Sequence, residues 1–161
     1  MQDQLARVLA SGVVRPALDL TLETLDVADD LRAVLPDRGL VRGRIVSCRG
    51  DAAMSLALRV VSRATQDGAW LAAVGVDHLG LVAAREHGVA LERLVVVSPG
   101  DAASDWVSAV GIAVEGFGMV LLRIPKGLSS RDAQRLTTRI HSRRVVAVCV
   151  ESSSHDEGRH G

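Results

Sequence analysis

Three places in this chain hold residue types that could handle phosphate, metal or protons. They are the loop Ser47-Cys48-Arg49-Gly50-Asp51-Ala52-Ala53-Met54-Ser55, the Asp77-His78 pair after an apolar run, and Arg123 at the end of another. The loop lies between a strand-like run and a helical pattern, the usual place of a phosphate cradle in an open parallel sheet. Such a cradle needs several glycine amides, a lysine reaching the β- and γ-phosphates, and a Ser or Thr hydroxyl for magnesium. Gly50 is the single glycine of this loop, and Lys126, the only lysine in the chain, is in another segment. Asp51 sets a negative charge at the helix start, where a phosphate would meet the amides and the helix dipole. It reads better as an N-cap, and Cys48, Arg49, Gly50 and Asp51 read as a degenerate phosphate loop that holds no nucleotide.

The remaining chemistry-bearing residues are dispersed. His78, His87, His141, His155 and His160 fall in turns and the tail, and no two stand four apart on a helix with a carboxylate base between them. No metal or cofactor site is expected on that count. Cys48 and Cys149 are too far apart for a CxxC pair and read as buried, reduced thiols.

These residues must be positioned by a single domain, since 161 residues suffice for one core of ordinary size. Hydrophobic residues make up 48% and aromatics only 2%, so the core is built from Val, Leu, Ile and Ala. That palette suits a buried parallel sheet. Nineteen basic residues balance nineteen acidic ones, so there is no global drive toward nucleic acid or anionic lipid. Met1 to Ala10 lacks the pattern of a secretory signal and no apolar run reaches membrane-spanning length, so the expected location is the cytoplasm.

Strand-like runs occur at Arg44 to Cys48, Trp70 to Val74, Leu94 to Val97, Met119 to Leu122 and Val145 to Val150. Helical patterns fall between them at Ala52 to Thr65, Leu79 to Glu86, Asp101 to Val114 and Ser130 to His141. Four alternations of strand and helix predict an α/β fold with three layers: a mainly parallel five-stranded sheet flanked by helices. Ser129 with Asp132 reads as a capping box. Ahead of this core, residues 1–40 form an arm with a short helix at Gln2 to Leu9 and an amphipathic helix at Thr21 to Leu35. The core occupies residues 41–150, and the polar tail 151–161 is expected to be disordered. Trp70 and Trp106 read as core or helix-packing residues.

Gly43-Arg44-Ile45-Val46, Gly50 and Leu56-Ala57-Leu58 resemble the opening of the RecA recombinase core. Gln66-Asp67-Gly68, Asp77-His78, Ala84 to Val89 and Leu94 to Pro99 follow the same order of segments. Against that pattern the lysine of the phosphate loop has no counterpart, Arg123 stands where such ATPases place the metal-binding Asp, and Asp77 falls near the family's catalytic Glu. Val34 to Arg44 further resembles the Leu-Pro-Gly-Gly-Gly-Leu-Pro-Arg-Gly opening segment of the ImuA and SulA-like branch, with Asp37 and Arg38 replacing two glycines.

The resemblance to the short actinobacterial ImuA type implies a non-catalytic adaptor in SOS-induced translesion synthesis. Its implied partners are an ImuB-like Y-family polymerase homologue, RecA, and an error-prone DnaE-type polymerase. The surface offered for them is a basic stripe of Arg131, Arg135, Arg139, Arg143 and Arg144, whose plain alternative is a solvated helix face. An acidic partner and a DNA backbone both fit such a stripe. The amino-terminal arm either reaches a neighbouring protomer or packs on its own domain. Two rival readings stand beside the adaptor: a SulA-like inhibitor of cell division, and an ATPase with an unorthodox site at Arg49, Asp77 and Arg123.

Overall fold

A computed structural model describes residues 22–151. The elements, in chain order, are β1 (Thr24–Leu25), α1 (Asp29–Arg32), β2 (Leu40–Val41), β3 (Ile45–Arg49), α2 (Ala53–Gln66), β4 (Leu71–Val74) and α3 (Leu81–Glu86). After a single 3₁₀ turn at Leu91–Arg93 follow β5 (Leu94–Val97), α4 (Ala103–Gly116), β6 (Met119–Arg123), α5 (Ser130–Arg143) and β7 (Val146–Glu151). The five-stranded sheet runs β3-β7-β6-β4-β5 with every neighbouring pair parallel.

The all-apolar runs fill the middle of the sheet, because a parallel strand covered on both faces has no solvent side. β4 is buried along its whole length, and β6 is buried up to its last residue, Arg123. Successive side chains alternate between two packing layers. Leu71, Ala73, Met119 and Leu121 face α2 and α3, while Ala72, Val74, Val120 and Leu122 face α4 and α5. The connections from β3 and β4 travel one way across the sheet and those from β5 and β6 travel back. Right-handed crossovers then place the two pairs of helices on opposite faces, giving the expected three layers. The carboxyl ends of the adjacent strands β4 and β6 become the point where the chain's direction divides, the natural crevice of such a sheet.

α2 buries Ala57, Val60, Val61 and Ala64 at helical spacing and exposes Arg59 and Arg63. It stops at Asp67 and Gly68, where φ of +102° is open to glycine at little cost. At the start of α5, the Asp132 amide donates to Ser129 Oγ at 3.1 Å and the Ser129 hydroxyl donates to the Asp132 carboxylate at 2.9 Å. The capping residues read from sequence are therefore in place.

α5 ends on Arg144, which adopts φ 58° and ψ 35°. A left-handed non-glycine residue carries roughly 1–2 kcal/mol of strain. Arg144→Gly is expected to stabilise the protein by about 0.5–1 kcal/mol after loss of one exposed ion pair. The check is a higher urea midpoint at unchanged m value.

Three expectations need correction. The described part of Thr21 to Leu35 is not one helix: Thr24 and Leu25 pair antiparallel with Val41 and Leu40, and only Asp29–Arg32 is helical. Leu25 and Leu31 fit a helical stripe in sequence, but pairing with Leu40 and the Asp26–Arg32 ion pair at 2.7 Å favour a folded-back segment. Val27, Leu31 and Leu40 are buried in the same cluster as α2, so this segment packs on the core. Glu151, assigned to the tail, is the last residue of β7 and lies opposite Arg49 in register. Trp70, read as a packing residue, is 44% exposed, with the Arg93 guanidinium 5.1 Å from its ring centroid. The expected helix at Gln2 to Leu9 and tail residues 152–161 lie outside the described residues.

Candidate functional site

The loop read from sequence as a degenerate phosphate cradle is a turn of three residues, Gly50, Asp51 and Ala52, between the end of β3 and the start of α2. The Ala53 amide closes it by donating to the Gly50 carbonyl at 3.1 Å. Its N-cap is Ala52, with no side-chain capping hydrogen bond, so Asp51 stands one residue outside the capping position assigned to it. Arg49 is turned toward the neighbouring strand and pairs with Glu151 at 2.8 Å. Cys48 points the other way, into the core beneath α2.

Alternation along parallel strands also separates the two thiols. Cys48 belongs to the layer under α2 and Cys149 to the layer under α4 and α5, so the sheet stands between them and both are free. Burial, with smaller contributions from Glu151 and Cys48, pushes the Cys149 thiol up to about 11 from an ordinary value of 9.0. Between those values the folded thiol keeps a proton that the unfolded one releases, so stability falls as pH rises through that window. The expected loss is roughly 2–3 kcal/mol from pH 9 to 11. Urea unfolding at each pH, with Cys149→Ala as the control that flattens the trend, checks it.

Asp77 and Arg123 come together, since both line one cavity of about 250 Å³ at the carboxyl ends of β4, β5 and β6. Arg49 does not join them: it ends β3, and β7 lies between β3 and β6. At a strand spacing of about 4.8 Å this sets the ends of β3 and β6 roughly 10 Å apart.

The basic stripe divides in two. Arg131, Arg135, Arg139 and Arg143 share one face of α5, as spacing by four requires. Glu115, from the last turn of α4, accepts from Arg139 at 2.6 Å and Arg143 at 2.8 Å. The Arg139 hydrogen bond, then the charges of both arginines, hold its carboxyl below the usual range. Arg144 pairs with Glu23 at 3.3 Å. Arg131 and Arg135 have no ion pair among the described residues. They line an open groove of about 670 Å³ between α4 and α5, beside Val107, Leu136, Thr138 and Arg139.

Sequence reasoning missed two residues that shape this groove. Glu115 neutralises the far half of the stripe, and its partner Arg139 is 24 positions away, beyond any local spacing rule. At Gly111, an added Cβ would lie 2.8 Å from Arg139 Nη1, so the bare backbone lets that guanidinium lie across α4. On the same helix Ile112 is 75% exposed, an apolar side chain that no described residue covers.

Among the described residues, no three His, Cys, Asp or Glu side chains are grouped to hold a metal ion, and no helix is long and apolar enough to cross a membrane.

No curated protein matches the chain by sequence. Among solved structures, SulA from Pseudomonas aeruginosa superposes with a TM-score of 0.56 at 14% identity, covering 68% of this chain and 97% of that one. The KaiC-like protein PH0186 from the hyperthermophilic archaeon Pyrococcus horikoshii OT3 superposes with a TM-score of 0.61 at 13% identity, covering 82% of this chain and 71% of that one. At such identities the likeness is one of fold, and that fold is RecA-like and SulA-like. The family described as MT3502 N-terminal domain matches residues 33–155, well over half of the chain, and the protein belongs to that family.

Proposed function

We propose that this chain is a non-catalytic RecA-like adaptor in SOS-induced translesion synthesis. It docks an ImuB-like Y-family polymerase homologue through the α4–α5 groove, in a complex that includes RecA and an error-prone DnaE-type polymerase. The observation that carries this reading is the groove itself: Arg131 and Arg135, without ion pairs among the described residues, stand beside Val107 and Leu136, with Asp132 also in the lining. Two arginines beside the half-buried Val107 suit an acidic partner surface with a small apolar contact. The specific complex is what the resemblance to the short ImuA type implies, and Val34 to Arg44 resembles the opening segment of the ImuA and SulA-like branch as a whole. Catalytic silence is part of the proposal, supported by the three-residue turn after β3 and by Arg123 where a metal would need a carboxylate.

The test is co-purification of the polymerase homologue and RecA with this protein, with and without ATP and magnesium. The adaptor reading expects capture independent of nucleotide. Capture of neither protein would sink it. A second reading, a SulA-like inhibitor of cell division acting on the tubulin-like division protein, is favoured by the superposition that spans 97% of SulA. Filamentation of cells overexpressing the protein would support it, and normal division at the same expression level would count against it.

A further inference from the structure

The cavity at the division of the sheet has features that the docking groove does not use. Trp106, from the second turn of α4, is 4% exposed, and its indole Nε1 is buried with no hydrogen-bond partner among the described residues. A buried donor is almost always satisfied, so an orphan of this kind asks for an acceptor. Gly75, at the end of β4 with φ +73°, makes room for the ring: an added Cβ would lie 3.0 Å from Trp106 Nε1 and 3.4 Å from the Arg123 carbonyl oxygen. The N-cap of α4 is Ala102, with no side-chain capping hydrogen bond, and Asp105 sets one carboxylate in the first turn of this 14-residue helix. Arg123, on the same rim, has no ion pair or side-chain hydrogen bond among the described residues.

Facing these donors are carboxylates. Asp77 and Asp101 line the cavity without ion pairs among the described residues, and Asp105 lies against the Gly100 backbone. A purely anionic ligand would meet those carboxylates, and a purely cationic one would leave the indole N–H unanswered. We propose that this cavity binds a small zwitterion of the α-amino acid class. Its carboxylate is received by Trp106 Nε1, Arg123 and the amino end of α4, and its ammonium by Asp77 and Asp101. At about 250 Å³ the space suits a ligand below drug size. Nε1 is buried in the empty cavity, so the proposal includes a shift of the indole on binding that brings Nε1 to the ligand's carboxylate.

Two tryptophans are present, and Trp70→Phe leaves Trp106 as the sole emitter. In that background each of the twenty common L-amino acids is titrated, with melting temperature recorded for all and emission for all but the fluorescent tryptophan and tyrosine. At least one free amino acid should give a saturable change in emission and a rise in melting temperature. Its N-acetyl and amide derivatives, each lacking one charge, should bind at least tenfold more weakly, as should the Asp77→Asn, Asp101→Asn double variant. Both aspartates are exposed, so that variant keeps its fold. No saturable response from any of the twenty overturns the proposal. So does an equal response to acetate, which would mark an adventitious anion only. The outcome does not depend on whether the groove binds a polymerase homologue.

Discussion

Replacing Arg131 and Arg135 together with Glu is expected to weaken capture of the acidic partner by roughly ten- to a hundredfold, about 1.4–2.8 kcal/mol. Both side chains are exposed and neither has an ion pair among the described residues, so in the adaptor reading the change removes partner contacts and leaves the described domain contacts intact. The melting temperature should stay nearly unchanged, since surface substitutions of this kind cost within about 0.5 kcal/mol. The same reversal at Arg139 and Arg143 should behave differently. Those two hold Glu115, and reversing them puts three carboxylates together, so stability falls along with binding. Glu115→Gln has the opposite sign: it releases both arginines into the groove and should tighten capture by about two- to fivefold at low salt, an effect that fades with ionic strength. A binding titration of the four proteins at two salt concentrations separates these outcomes.

Leu121→Ala should be the most damaging single substitution, at about 3–5 kcal/mol out of a total of roughly 5–15. Leu121 is fully buried in the middle of β6, with Ala73 opposite it on β4 and Val148 on β7. Its neighbour Ala73 is too short to fill the space, so the cavity persists and the cost sits in the upper half of the range for such truncations. Ile112→Ala removes a side chain of similar size from the exposed face of α4 and should cost less than about 0.5 kcal/mol. Urea unfolding of the two variants gives the comparison, and a similar loss in both would place Ile112 against a surface of its own molecule.

The parallel sheet was legible in sequence because its strands are short runs of Val, Leu, Ile and Ala set between helical spacings, and both signals are local. Leu71 to Val74 and Met119 to Leu122 could hardly be anything but central strands. The segment before the core was less legible. Leu25, Val27 and Leu31 satisfy a helical spacing, and only the partner strand at Leu40 and Val41, fifteen or so residues on, turns part of it into a hairpin-like ladder. Long-range pairing overrode local preference there. The loop after β3 carries one glycine and no lysine, and those residue types are visible without coordinates.

The basic stripe was readable as a stripe and unreadable as a charge distribution. Spacing by four puts Arg131 to Arg143 on one face, yet nothing in α5 announces that Glu115 of another helix occupies half of them. Trp106 carried even less signal. A tryptophan in an amphipathic helix reads as packing, which it does, and the orphaned Nε1 emerges only when Gly75 and the ends of three strands surround it.

The adaptor account is tested most directly by hydrogen exchange on this protein with and without the polymerase homologue. The account predicts slower exchange in the first two turns of α5, around Arg131 to Thr138, and in the facing turn of α4 around Val107, unchanged by ATP and magnesium. Protection confined to the turn after β3, or appearing only with nucleotide, would contradict it.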